Sequence, residues 1–239
     1  VLEVASAAPH VPDVADFRLL ADGGSSVNHM PAICVIGSGG DIVLMPVDEE
    51  ASAPAEVVGS VDQGILAAAW SPEEDVLVLI TGGEKRLIVM TREFEVVSET
   101  MLSTEAFGDD QPVNVGWGSK STQFHGSEGK QAAVAAANAP EENDPRGPLV
   151  PEDDGLPRIS WRGDGAFFVT SSAEASNDTV HRILRTYTRT GTLSATSDRS
   201  VRGISHVLAC RPTGNLIATT QRMGCLLYTS PSPETKANL

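Results

Sequence analysis

Short apolar, β-branched runs alternate with Gly, Pro, Asp and Ser turns along most of the chain, and no stretch sustains a helical period. The first clear pair is Ala32 to Ile36 and Asp41 to Met45, flanking Gly37-Ser38-Gly39-Gly40. Glycine supplies the positive φ angles of a tight hairpin, so this segment predicts two antiparallel strands. The next unit reads as strand Ile65 to Trp70, turn Ser71 to Asp75 and strand Val76 to Thr81. Gly82-Gly83 turns the chain into Arg86 to Met90, and Glu93-Phe94-Glu95 leads to a last short strand, Val96 to Ser98. Four short strands follow one another with no convincing helix between them.

The same grammar returns twice, at Leu156 to Thr170 (LPRISWRGDGAFFVT) and Ile204 to Thr219 (ISHVLACRPTGNLIAT). Trp70-Ser71-Pro72, Trp161-Arg162-Gly163 and Cys210-Arg211-Pro212 each precede a turn, and each turn leads into a strand ending in Thr or Ser. Trp161 and Cys210 lie 49 positions apart; Trp70 and Trp161 lie 91 apart, which fits two repeats or one repeat with an insertion. Recurrence at about 40–50 residues, with four short strands each, predicts an all-β, WD-repeat-like β-propeller. A sandwich would also supply short strands, but would not require the repeated turn pattern. Residues 1–239 therefore read as one partial propeller of about 3–5 antiparallel blades, too few repeats to close a ring.

The chain has 239 residues, 41% hydrophobic but only 5% aromatic, so its core must be mostly Val, Ile, Leu and Ala. No apolar run approaches the ~18 residues of a membrane span, and residues 1–20 hold one basic residue, Arg18, without a signal-peptide apolar region. Neither a membrane nor a secreted reading is expected. A start at Val1 rather than Met reads as a fragment.

Charge divides the chain. Residues 1–157 contain 27 Asp and Glu against 7 Lys and Arg, whereas residues 158–239 contain 5 against 10, giving the overall -15. Phosphate contacts need local cationic density, so an autonomous nucleic-acid binder is not expected. Arg182, Arg185, Arg189, Arg199 and Arg202 leave a narrower option for cationic contacts; otherwise they read as solvated strand faces complementing the acidic part.

Motifs for catalysis are missing. Gly37 to Gly40 is followed by a strand, not by the helix a phosphate loop needs. There is no Gly-x-Ser-x-Gly elbow, His-Glu-x-x-His or Cys-x-x-Cys, so no catalytic residue, cofactor or metal is expected. Cys34, Cys210 and Cys225 are too few and too scattered for a disulfide framework, which suits a reducing compartment, and Cys210 reads as a core residue. Asn177-Asp178-Thr179 is a sequon without consequence in the cytosol.

An insertion occupies residues 126–155, with an Ala-rich run at residues 131–137 and a Pro and acidic run at residues 140–148. Its composition buries little apolar surface, so residues 131–155 are expected to be the most mobile internal segment. Just before it, Val113 to Lys130 sets Trp117, Gln123, Phe124 and His125 among glycines and small polar residues. This stretch reads either as a strand whose Trp117 packs between blades or as a contact surface for a protein or RNA.

Val58 to Pro72 (VGSVDQGILAAAWSP), Phe94 to Glu99 (FEVVSE), Val115 to Lys130 (VGWGSKSTQFHGSEGK), Ile159 to Asp164 (ISWRGD) and Arg211 to Arg222 (RPTGNLIATTQR) carry a family resemblance. In this order they resemble the N-terminal WD-repeat region of the Elongator subunit 1 (IKI3/IKAP) family. The match is collinear over roughly residues 30–222, and generic WD repeats lack the Gly116-Trp117-Gly118 to His125-Gly126-Ser127 stretch.

The resemblance implies a scaffold rather than an enzyme. It implies contacts with the radical-SAM acetyltransferase catalytic subunit and the second WD-repeat subunit. The assembly so implied modifies wobble uridine of tRNA toward 5-methoxycarbonylmethyl-type side chains. It further implies a cytoplasmic protein with some nuclear presence, no membrane contact, and homodimerisation only through a C-terminal helical region absent here. Trp117, Gln123, Phe124 and His125 are then the expected protein-contact residues, and Arg185 and Arg189 the expected sites of indirect or weak tRNA contact. A WD-repeat adaptor of another cytoplasmic complex is the alternative. Residues 223–239 depart from the family pattern and are expected to be an artefactual tail rather than a blade.

Overall fold

A computed structural model of the chain describes residues 13–24, 27–47, 54–102, 149, 153–176, 179–197, 203–221 and 225–229. Four antiparallel sheets follow one another as blades. The first is β1 (Val14–Leu20), β2 (Ala32–Gly37), β3 (Asp41–Pro46) and β4 (Glu56–Ser60), paired in that order. The second is β5 (Ile65–Trp70), β6 (Val76–Thr81), β7 (Arg86–Thr91) and β8 (Val96–Met101). The third is β9 (Arg158–Trp161), β10 (Phe167–Ser176), β11 (Thr179–Thr188) and β12 (Leu193–Thr196). The fourth holds three strands, β13 (Ile204–Cys210), β14 (Ile217–Gln221) and β15 (Cys225–Thr229). No α-helix occurs among the described residues, and the four blades do not close a ring.

The repeated turns are one device used three times. In each, the residue after the inner strand donates its N–H to the carbonyl just before the second strand or at its start. These bonds are Ser71 to Val76 at 2.8 Å, Arg162 to Phe167 at 3.0 Å and Arg211 to Leu216 at 2.9 Å. The matching connection of the first blade is longer, from Ala21 to Pro31, and closes through Gly23 N–H to the Met30 carbonyl at 2.8 Å. That is why β1 escapes a repeat search: its turn lacks the shared pattern. The β2–β3 hairpin turns at Gly40, whose φ of 115° no L side chain adopts comfortably; a Cβ there would also collide with the Val61 carbonyl.

Strand alternation gives each blade two faces, and consecutive blades bury them against each other. Leu77, Leu79 and Met90 of the second blade pack with Ala32, Cys34, Ile36, Ile42 and Leu44 of the first. The opposite face of the second blade, Val78, Ile80, Leu87 and Val89, packs with Phe168 and Tyr187 of the third. Val169 and Leu184, on the far face of the third, meet Ile204 and Ile217 of the fourth. The core is thus a row of sandwiched aliphatic layers, as the low aromatic content foretold.

Two expectations are adjusted. Cys225–Thr229 pairs residue for residue with β14, so part of the stretch read as a tail forms a third strand of the last blade. The expected Ala-rich turn at residues 131–137 and most of the mobile segment lie outside the described residues; its far end, at Asp153 and Asp154, is held by the arginine pairs described next.

Candidate interaction surface

The turns that leave the inner strands cluster at one end of the blades, and their side chains tie neighbours together. Ser71 Oγ donates to Asp75 Oδ1 at 2.7 Å and accepts from the Asp75 and Val76 N–H groups. This small cage sets Glu74 at a φ of 61°. From there Glu74 accepts the Ala21 N–H at 3.0 Å and lies 3.7 Å from Arg18, both of the first blade. Asp75 faces the other way and pairs with Arg189 of the third blade, which also reaches Glu73 at 3.3 Å and donates to the Gly165 carbonyl at 3.1 Å.

The third and fourth blades are joined in the same manner. Arg162 grips Asp164, donates to Asn215 of the fourth blade, and lies over the Phe167 ring at 4.8 Å. Trp161 Nε1–H donates to the Ala69 carbonyl at 3.2 Å, and the Cys210 N–H donates to Ser160 Oγ at 2.9 Å. Arg162 and Arg189 at this end therefore already hold carboxylates. They offer phosphate little unspent charge.

Of the residues expected to make contacts, Trp117, Gln123, Phe124 and His125 lie outside the described residues. Arg189 is the bridge just described. Arg185 is a correction: it is 1% exposed and grips Glu174 with both guanidinium nitrogens, one bond measuring 3.0 Å. Its charge is met inside the blade interface, out of reach of an RNA backbone. Arg182, also read as a solvated strand residue, is likewise 1% exposed. It makes a bidentate pair with Asp153 at 2.5 and 2.6 Å and donates to the Leu156 carbonyl at 2.8 Å. The signal that could have exposed both was their place beside Ile183 and Leu184 in one strand, with acidic residues at Asp153 and Glu174 to meet them.

Acid titration should read these pairs. Burial pushes the Asp153 carboxyl up, but the Arg182 and Gly155 hydrogen bonds outweigh it and hold the group below its ordinary value. Arg162 holds exposed Asp164 down to about 2. A carboxyl depressed by folding contributes stability that is complete above its unfolded pKa of about 4 and is lost as pH falls through the folded value. The urea midpoint should accordingly drop between about pH 4 and pH 2, and by less in Arg162→Met, which returns Asp164 to its ordinary range. A midpoint independent of pH in that window would remove both pairs from the stability account.

Cys34 and Cys210 are packing residues rather than reactive thiols. Burial raises Cys34 to about 12 and Cys210 to about 11, which leaves both as protonated packing groups. Among the described residues no cluster of His, Cys, Asp and Glu could hold a metal ion, and no helix is long and apolar enough to cross a membrane.

The comparisons agree with the blade architecture. The family described as ELP1 first N-terminal beta-propeller matches residues 5–226. Elongator complex protein 1 of Mus musculus is 40% identical over 190 residues, covering 80% of this chain and 13% of that protein. The Schizosaccharomyces pombe relative is 37% identical over 79% of the chain, and that of Saccharomyces cerevisiae 34% over 77%. The chain spans 15% of the length of each of these two yeast proteins. Four consecutive blades and a family match across nearly all of their length lead to one conclusion: the chain belongs to the Elongator complex protein 1 family, in its first N-terminal β-propeller.

Proposed function

We propose that this chain acts as scaffold in an Elongator complex, working by protein–protein contacts in support of wobble uridine modification of tRNA. The observation that carries the reading is the first-propeller family match over residues 5–226. The side chains fit a positional role: described ion pairs link blade to blade, and no described residue is set up as a nucleophile or acid/base pair. The chain contributes no catalysis. Its expected partners are the radical-SAM acetyltransferase subunit and the second WD-repeat subunit, met in the cytoplasm with some nuclear presence. Trp117, Gln123, Phe124 and His125 are proposed as contact residues.

A chimera tests this. The segment of Saccharomyces cerevisiae Elongator complex protein 1 that matches this chain is exchanged for it, and modified wobble nucleosides are measured by mass spectrometry together with copurified subunits. Modification and copurification should both persist, and Phe124→Ala with His125→Ala should weaken them together. Copurification without any Elongator subunit would favour an adaptor of another complex. Loss of modification from a fully assembled complex would overturn the positional role.

Transfer RNA itself should bind the purified chain weakly. The acidic balance of residues 1–157 repels phosphate, and the described arginines of β11 and its following turn are already paired with carboxylates. Fluorescence anisotropy across a salt series should show low affinity with a shallow dependence on salt, because few phosphate contacts release few counterions. Tight binding that persists at high salt would contradict this.

A further inference from the structure

Three arginines of this protein fill the same edge of the guanidinium group in the same way. In Arg86, Arg162 and Arg182 the parallel Nε–H and Nη2–H groups both reach one carboxylate, that of Glu84, Asp164 and Asp153 respectively. Arg92 departs from them. Its Nε and Nη2 are shut off from solvent and hold no hydrogen-bond partner. The carboxylate beside it, Asp22 of the first blade, lies 3.9 Å from Nη2, too far for a hydrogen bond. Asp22 is also committed elsewhere, accepting the Gly24 N–H at 2.8 Å and lying 3.2 Å from His29 Nδ1. Buried donors on a cation are costly to leave unmet, and native structures normally supply them with an acceptor.

The backbone beneath Arg92 is fixed, whereas its side chain is not. In the β7–β8 turn the Thr91 carbonyl accepts the Phe94 N–H at 3.1 Å. Thr91 Oγ1 accepts the Glu93 and Glu95 N–H groups at 3.2 and 3.3 Å. Phe94 then packs edge-on against the buried Trp70, with ring centroids 5.9 Å apart. From this turn Arg92 reaches across the junction of the first and second blades toward Asp22. Among the described residues no hydrogen bond ties its guanidinium down, and 23% of the side chain is exposed. Rotation of the side chain alone can therefore bring the open edge to the surface.

We propose that the Nε–Nη2 edge of Arg92 binds a carboxylate group brought by another molecule, either an acidic side chain of a partner protein or a small free acid. A carboxylate matches the two parallel donors as Asp153 matches those of Arg182. Binding replaces the long contact with Asp22 by two direct hydrogen bonds. The surroundings favour one negative charge over several. Glu93 and Glu95 flank Arg92 and are exposed, so a nucleic-acid backbone would set its next phosphates against them. The site depends on the blade junction alone and stands whether or not the chain serves an Elongator complex.

Arginine Nε–Hε resonances of the isotope-labelled 239-residue chain supply the test. The Arg92 resonance is identified by its loss in Arg92→Lys. The probes are acetate, a blocked alanine peptide carrying one Glu, the same peptide with Gln in its place, and inorganic phosphate. The Arg92 resonance should shift saturably with acetate and with the Glu peptide, at lower concentration than that of the exposed Arg211. The tighter of the two carboxylates identifies the source. Asp22→Asn, which keeps an acceptor for the Gly24 N–H but removes the competing charge, should tighten binding several-fold. An Arg92 resonance that responds no more readily than that of Arg211 would overturn the proposal. A Gln peptide as effective as the Glu peptide would do the same. Phosphate saturating below both carboxylates would reassign the edge to phosphate and overturn the choice of carboxylate.

Discussion

Arg182→Met should lower the stability of the chain by about 3–5 kcal/mol, the range expected when one partner of a buried ion pair is removed and the other is left uncompensated. The side chains of Arg182 and Asp153 are both fully buried, with two short parallel hydrogen bonds between them. Removing the guanidinium strands a carboxylate away from water. It also frees the Leu156 carbonyl and so loosens the chain entering β9. Asp153→Asn should cost less than Arg182→Met, because the amide oxygen can still accept one of the two bonds. The double change Arg182→Met with Asp153→Leu should recover much of the loss, since well-packed apolar replacements of a buried pair are often neutral. Urea denaturation of the wild type, Arg182→Met, Asp153→Leu and the double variant gives the coupling directly. Additive losses in the double variant would show that the two side chains do not act as a pair.

Phe168→Ala should cost a comparable amount, about 3–5 kcal/mol, as a large-to-small change in a closed core. Phe168 is fully buried, its ring 4.8 Å from Trp161 and stacked on Tyr187 at 5.3 Å with planes 13° apart. It lies between the second and third blades, where Val78, Ile80 and Val89 close over it. The chain around it is secured by strand pairing on both sides, so the cavity cannot collapse fully. Total stability of a domain is only about 5–15 kcal/mol, so this one change removes a large part of it. Thermal melts should show a broad loss, and Phe168→Leu a smaller one. A loss under about 1 kcal/mol would mean that the interface repacks freely.

The fold was legible where the information is local. The turns after Trp70, Trp161 and Cys210 were readable because each is closed by one short-range backbone bond, between residues five apart. The hairpin at Gly40 was readable because glycine alone tolerates that backbone angle. Strands β5 to β8 followed from short apolar runs bounded by turn residues a few positions apart. The first strand was not readable, since its link to β2 uses a different, longer turn.

The candidate surface was less legible. Arg185 and Arg189 were both read as sites of weak tRNA contact, yet they differ completely in setting: one is sealed against Glu174, the other spans two blades at the surface. Arg185 lies inside β11 beside Leu184 and Arg189 just after its end, but neither neighbourhood names the carboxylate that meets its charge. Arg182 shows the same limit, because its partner Asp153 is 29 residues away in sequence.

Strand, turn and repeat were therefore written in the order of residues alone, as was the family, through collinear segments that survive without any coordinates. Which charges are spent was decided only in three dimensions, by blades that bring distant carboxylates to buried guanidinium groups. Hydrophobic alternation and glycine turns act over a few bonds and leave a pattern in the chain. Ion pairing acts through space, and burial makes an unmet charge too costly to keep, so only the packed blades determine where each arginine ends.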